Sequence, residues 1–89
     1  MARFLVIIEF KNESKKDTVA KKMSSSKGRA HEVVSNTWIL RGRDSHTARG
    51  MRKWIQTFCE DNDRIFVTHI ANLSFANAKN GTNKWLNKY

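Results

Sequence analysis

Proline is absent from this chain and glycine is scarce, with four in 89 residues. Without proline there is no polyproline linker or proline-rich recognition segment, and Gly42 and Gly50 lack the spacing of a phosphate-cradling loop. No internal repeat or low-complexity stretch appears. Cys59 is the sole cysteine, so an internal disulfide and a CxxC pair are both excluded. HExxH is also missing, and His31, His46 and His69 fall in different predicted elements, which leaves zinc without a ligand set. Cys59 itself sits among the apolar positions of a predicted helix and reads as a structural thiol, in keeping with a reducing cytoplasm. Long hydrophobic runs are missing too. The apolar stretch near the start, Phe4 to Ile8, falls far short of a bilayer span and precedes no small-residue cleavage site, so neither a leader peptide nor a membrane anchor is expected.

Negative charge is the other scarcity. Eight Asp and Glu stand against 17 Lys and Arg, a formal net charge of +9. Such an excess concentrates anions around the molecule and favours polyanionic partners, so nucleic acid, DNA or RNA, is the expected ligand. An apolar fraction of 39%, with Trp38, Trp54, Trp85 and five Phe, is too high for a disordered basic tail. At this length there is room for one domain with a small core, and a homodimer is expected because it buries additional surface.

Phe4-Leu-Val-Ile-Ile-Glu-Phe10 is a short β-branched apolar run, which predicts a central strand over about residues 3–10, buried on both faces. Lys11 to Lys16 is a polar connection. From Asp17 to about Ser26, the spacing of Val19, Ala20 and Met23 gives a helix with one apolar stripe and with Lys21 and Lys22 outward; the serines and Gly28 then end it. Strands over 30–34 and 37–41 follow, joined by Ser35-Asn36 as a tight antiparallel hairpin. Asp44 or Ser45 is placed to cap a second helix, in which Ala48, Met51, Ile55 and Phe58 recur at three- and four-residue steps. After the acidic stretch Glu60 to Asp63, residues 64–70 alternate Ile65, Val67 and His69 with Phe66, Thr68 and Ile70, the pattern of a fourth strand. The order βαββαβ predicts an α+β, ferredoxin-like domain over residues 1–72, a four-stranded antiparallel sheet with both helices on one face. The other face is left for a ligand, a second copy, or the segment 73–89. There Trp85, Leu86 and Tyr89 predict a short helix or a packed segment, set on the sheet or on a partner subunit.

Basic residues form the strongest constellation. Arg49, Arg52 and Lys53 lie on successive helical steps, Arg41 and Arg43 stand in the stretch feeding that helix, and one surface is expected to hold all five. Lys15, Lys16, Lys21, Lys22, Lys27 and Arg29 give a second basic area around the first helix. Phosphate contacts need charge and donors only, so this pattern suits backbone binding better than base reading. His46 is a further phosphate contact or a solvated side chain. The element order matches an RNA-recognition motif but the aromatic and basic runs of one are missing from the central strands. Trp38 is the stacking candidate there, with a core or interface position as the alternative. Glu9 is an anomaly of another kind, a carboxylate in an apolar strand, to be paired with a basic side chain, hydrated, or bound to a metal.

Three stretches resemble the Cas2-like group of small ferredoxin-fold proteins, which includes the SinR-like proteins. They are the opening strand with an acid near its end (Phe4 to Phe10), the hairpin Val34 to Leu40, and the strand preceded by acids (Asp61 to Val67). The resemblance covers about residues 3–70. It implies a homodimer that is either a metal-dependent nuclease or a non-catalytic DNA-binding scaffold. The family's acid, usually Asp, is assigned to metal; the matching position here is Glu9, which the resemblance makes the candidate catalytic and metal-binding residue. Because Glu replaces Asp and Lys11-Asn-Glu-Ser14 differs from the family's usual turn, the expected function is non-catalytic, sequence-independent nucleic-acid binding with no cofactor. Two alternatives stand beside it. One is a Mg²⁺- or Mn²⁺-dependent nuclease; the other is a small basic viral or mobile-element protein that binds an acidic surface of a nucleic-acid-handling protein.

Overall fold

The computed structural model describes residues 2–25, 28–74 and 76–88. Ser26 and Lys27, expected at the end of the first helix and in its basic area, lie outside these residues, as does Tyr89. Strand β1 spans Ala2–Glu9, and a short 3-10 turn at Glu13–Lys15 leads into helix α1, Lys16–Ser24. Strands β2 (Ala30–Val34) and β3 (Thr37–Gly42) precede helix α2 (Ala48–Gln56), strand β4 (Arg64–His69) and helix α3 (Thr82–Lys88). The sheet order is β2-β3-β1-β4 and every neighbouring pair is antiparallel. This is the ferredoxin-like βαββαβ arrangement.

Alternation along β1 divides the two faces. Phe4, Val6 and Ile8 are fully buried and pack with Trp38 and Leu40 of β3, Val19 and Met23 of α1, and Met51 and Ile55 of α2. Both helices therefore cover the same side. β1 is central, as expected, but it is not buried on both faces: Ile7 points away from the helices and is 40% exposed. Helices α1 and α2 stand over one face of β1 only, so a strand can be apolar throughout without being enclosed throughout. Trp38, 2% exposed, belongs to the helix-side core with its ring edge-on to Phe10, which removes it as a stacking platform.

Turns set the element boundaries. The β2–β3 hairpin is closed by Ser35-Asn36 with Asn36 at φ 60, a left-handed conformation that Asn tolerates better than most residues. Helix α2 starts later than expected. The N–H of Arg43 donates to His46 Nδ1 and the N–H of His46 donates to the Arg43 carbonyl, both at 3.0 Å, so residues 43–46 form a closed turn. Asp44 and Ser45 lie inside that turn, and Thr47 is the cap instead, its hydroxyl accepting from the Gly50 N–H.

The C-terminal segment is fastened to β2. Lys79 N–H donates to the Val33 carbonyl at 2.8 Å, the Trp85 indole donates to the Gly28 carbonyl at 2.9 Å, and the Trp85 ring stacks on His31 at 5.8 Å. His31 also meets the buried Thr82 hydroxyl at 2.8 Å; burial holds its imidazole below the ordinary histidine range. The expected short terminal helix is thus α3, and it roofs the outer face over β2, where Ile39 of the neighbouring β3 is fully buried. The β1–β4 half keeps Ile7 and Phe66 in solvent, at 40% and 59% exposure.

Glu32 joins three parts of the chain. Its carboxylate meets Lys16 of α1 and Lys79 of the C-terminal segment, each at 2.8 Å, and accepts the Asn36 N–H at 2.8 Å. Burial opposes its ionisation, but these donors outweigh that cost and hold the carboxyl down at about 2. A depressed carboxyl stabilises the fold above its unfolded value near 4.5 and loses that contribution as pH falls toward 2. We expect Glu32→Gln to lose about 1–2 kcal/mol at neutral pH, reduced from the full linkage value by solvent screening at the half-exposed Lys79. Urea denaturation at a series of pH values measures it. The gap between wild type and E32Q should narrow below about pH 4.5, and a gap that is constant down to about pH 3 contradicts the assignment.

Candidate nucleic-acid interface

Arginines from two parts of the chain, Arg29 and the near neighbours Arg41 and Arg43, meet at one end of the sheet. After α1 the chain turns through Gly28, at φ 62, and the Arg29 N–H returns to the Ser24 carbonyl at 2.7 Å. The Arg29 carbonyl accepts the Arg41 N–H at 3.0 Å, which locks the start of β2 to the end of β3. From there the Arg29 guanidinium lies 5.6 Å over the Trp54 ring of α2, a cation–π placement that holds the side chain against the helix. Arg29, Arg41, Arg43 and His46 line a hollow of about 420 Å³ whose one acidic lining residue is Asp44. A second hollow of about 370 Å³ adjoins it, sharing Arg29 and His46 and reaching Thr47, Gly50 and Trp54 at the start of α2.

Gly42 makes this geometry possible. A Cβ on it would stand 2.8 Å from His46 Nδ1, 2.8 Å from Met51 Cε and 3.2 Å from the Phe4 ring. The turn that carries Arg43 and His46 packs against β3 only because that side chain is missing.

Helix α2 extends the positive surface, having no acidic residue between Ala48 and Gln56. Arg49 and Lys53 are exposed, whereas Arg52 is half-buried and donates along the helix to Gln56. Lys21 and Lys22 are exposed in the last turn of α1, where positive charge also suits the negative end of the helix dipole. The structure therefore brings Arg41 and Arg43 together and adds Arg29, which the sequence assigns to the first-helix area. Arg29 thus leaves the first-helix group and joins Arg41 and Arg43. Backbone pairing between Arg29 and Arg41 is what unites them, a consequence of the β2–β3 hairpin that grouping basic residues by their place along the chain passes over.

Glu9 is not enclosed. Its side chain is 71% exposed and pairs with Arg64, opposite it on β4, at 3.4 Å. The Asp63 carboxylate accepts the Lys11 and Glu60 backbone N–H groups, both at 3.0 Å, so it ties the α2–β4 loop to the exit of β1. Among the described residues no three His, Cys, Asp or Glu side chains gather where a metal ion could be held. Burial, and then the charge of Asp63, push the Cys59 thiol up to about 11, which makes it a poor nucleophile. Among the described residues no helix is long and apolar enough to cross a membrane.

Phe66 has no place in the sequence-based site. Its exposure is visible in the alternation of β4 only once Ile65 and Val67 are known to face the helices. No protein-family model and no solved structure matches the chain.

Since a Cβ at position 42 must displace both the Met51 methyl and the His46 ring, Gly42→Ala is expected to cost about 1–3 kcal/mol. Chemical denaturation reads this directly. Unchanged stability would mean that the turn is not packed as described.

Proposed function

We propose that this protein binds nucleic acid through the phosphate backbone, without regard to sequence and without cleaving it. The observation that carries this reading is the hollow lined by Arg29, Arg41, Arg43 and His46. Guanidinium groups offer planar pairs of donors that match two phosphate oxygens, and three of them against one carboxylate leave the hollow strongly favourable to an anion. A single phosphate fills a small part of about 420 Å³, and the neighbouring Arg49, Arg52 and Lys53 on α2 continue the positive charge beyond its rim. That extension suits a polymer of phosphates. Lys21 and Lys22 supply outer contacts at the end of α1.

A binding role agrees with the surroundings of Glu9. Its charge is matched by Arg64, and Asp63, next to Arg64 in the chain, has both oxygens engaged by backbone N–H groups. The reading is that of a scaffold resembling the non-catalytic members of the Cas2-like group.

Counterion release gives the test. With a fluorescent oligonucleotide followed by anisotropy, affinity should fall steeply between about 50 and 300 mM salt. The Arg43→Ala/Arg49→Ala double variant should lower the slope of log K against log salt by about two, one for each phosphate that is no longer neutralised. The oligonucleotide should be recovered intact after incubation with Mg²⁺ or Mn²⁺. Salt-independent affinity, or an unchanged slope in the double variant, would falsify the proposal.

A further inference from the structure

The outer sheet face offers something that phosphate gripping does not use. Cross-strand register places Arg41 beside Arg3, Ile39 beside Leu5, Thr37 beside Ile7, and on the other side Thr68 beside Leu5 and Phe66 beside Ile7. Residues paired in this way point to the same side of the sheet. The C-terminal segment roofs the β2 side of this face. Over β1 and β4 it leaves a shallow apolar strip, with Phe66 59% and Ile7 40% exposed. At one end of the strip stand Arg3 and Arg41, directly opposite each other on β1 and β3. Arg41 also lines the phosphate hollow, so hollow and strip are continuous through it. At the other end, Glu9 and Arg64 pair with each other.

We infer that this strip is a platform for a single strand of nucleic acid, with a base stacked on Phe66 beside Ile7 and the adjoining phosphates on Arg3 and Arg41. From Arg3 to Ile7 the strand advances roughly 13 Å, room for about four nucleotides at stacked spacing. An aromatic face on an open sheet stacks any base, and a duplex keeps its bases out of reach of such a face. The platform therefore selects single strands while the arginine hollow accepts any phosphate backbone. A second copy of the chain suits the strip less well. Two partly exposed side chains present on the order of 200 Å², against the roughly 800 Å² per partner that a stable interface needs. Each copy would also bring its own net charge of +9.

This inference rests on the nucleic-acid reading, and the experiment separates the two. Anisotropy is measured with a twelve-nucleotide single strand and with the duplex of the same sequence, for wild type, Phe66→Ala, Phe66→Val and Phe66→Tyr; circular dichroism shows whether each variant is folded. Phe66→Val puts a β-branched apolar residue of high strand propensity in its place, so it remains folded even if Phe66→Ala does not. The expected result is a loss of roughly 5- to 150-fold in single-strand affinity for Phe66→Val and Phe66→Ala. Phe66→Tyr should stay within about threefold of wild type, duplex affinity should change less than about twofold, and the salt slope should not move. If wild type binds both ligands and Phe66→Val leaves single-strand affinity unchanged, the platform is wrong while the phosphate reading survives. If wild type binds neither ligand, both fail. Sedimentation of the free protein closes the remaining route: a dimer that Phe66→Val converts to monomer assigns the strip to a second copy and overturns the platform.

Discussion

A sheet has two faces, and the two main helices of this chain cover one of them. That constraint governs the rest of the structure. Helices α1 and α2 enclose Phe4, Val6, Ile8, Trp38 and Leu40 on one side, and the domain's cohesion comes mainly from removing that apolar area from water. On the other side, among the described residues, the C-terminal segment is fastened to β2, and Ile7 and Phe66 stay exposed over β1 and β4. The interactions that keep the segment in place are polar and stacking contacts: Lys79 with Glu32, Thr82 with His31, and Trp85 with both the His31 ring and the Gly28 carbonyl. Glu32 is the junction, since its carboxylate also holds α1 and the hairpin.

The same constraint explains where the chemistry is found. Ends of strands carry loops, and the end shared by β3 and the start of β2 is the place where Arg29, Arg41 and Arg43 converge. Positive charge crowds there because the backbone bond from Arg41 to Arg29 fixes the two strands at that point, with Gly42 letting the following turn approach the core. The open half of the outer face begins at the same end, at Arg3 and Arg41. A basic hollow and an exposed aromatic strip are thus neighbours, joined at Arg41.

Much of this is legible in the sequence. Periodicity locates all four strands and both main helices, and the order of elements specifies the ferredoxin-like arrangement, because period-two and period-3.6 patterns are local properties of the chain. Three features are not fully legible, for physical reasons. A wholly apolar run leads one to expect β1 buried on both faces, yet how much of a strand is covered depends on what lies above it, which no local pattern records. The start of α2 falls later than its residues suggest, because the reciprocal bonds between Arg43 and His46 consume the residues that otherwise look like caps. The hollow is half legible: Arg41 and Arg43 group with α2 along the chain, while Arg29 groups with α1, and although the hairpin sets Arg29 near Arg41, no local pattern records its placement over Trp54.

Whether one end of this sheet, and the open strip that runs from it, form a continuous surface for nucleic acid can be read residue by residue. The measurement is an amide-resolved NMR titration with a short single-stranded oligonucleotide. Shift changes are expected at Arg29, Arg41, Arg43, His46 and Arg49, running on through Arg3 and Ile7 to Phe66, with Thr82 to Lys88 of α3 unaffected. Changes centred on α3 and β2, with the arginine hollow silent, would contradict a continuous surface.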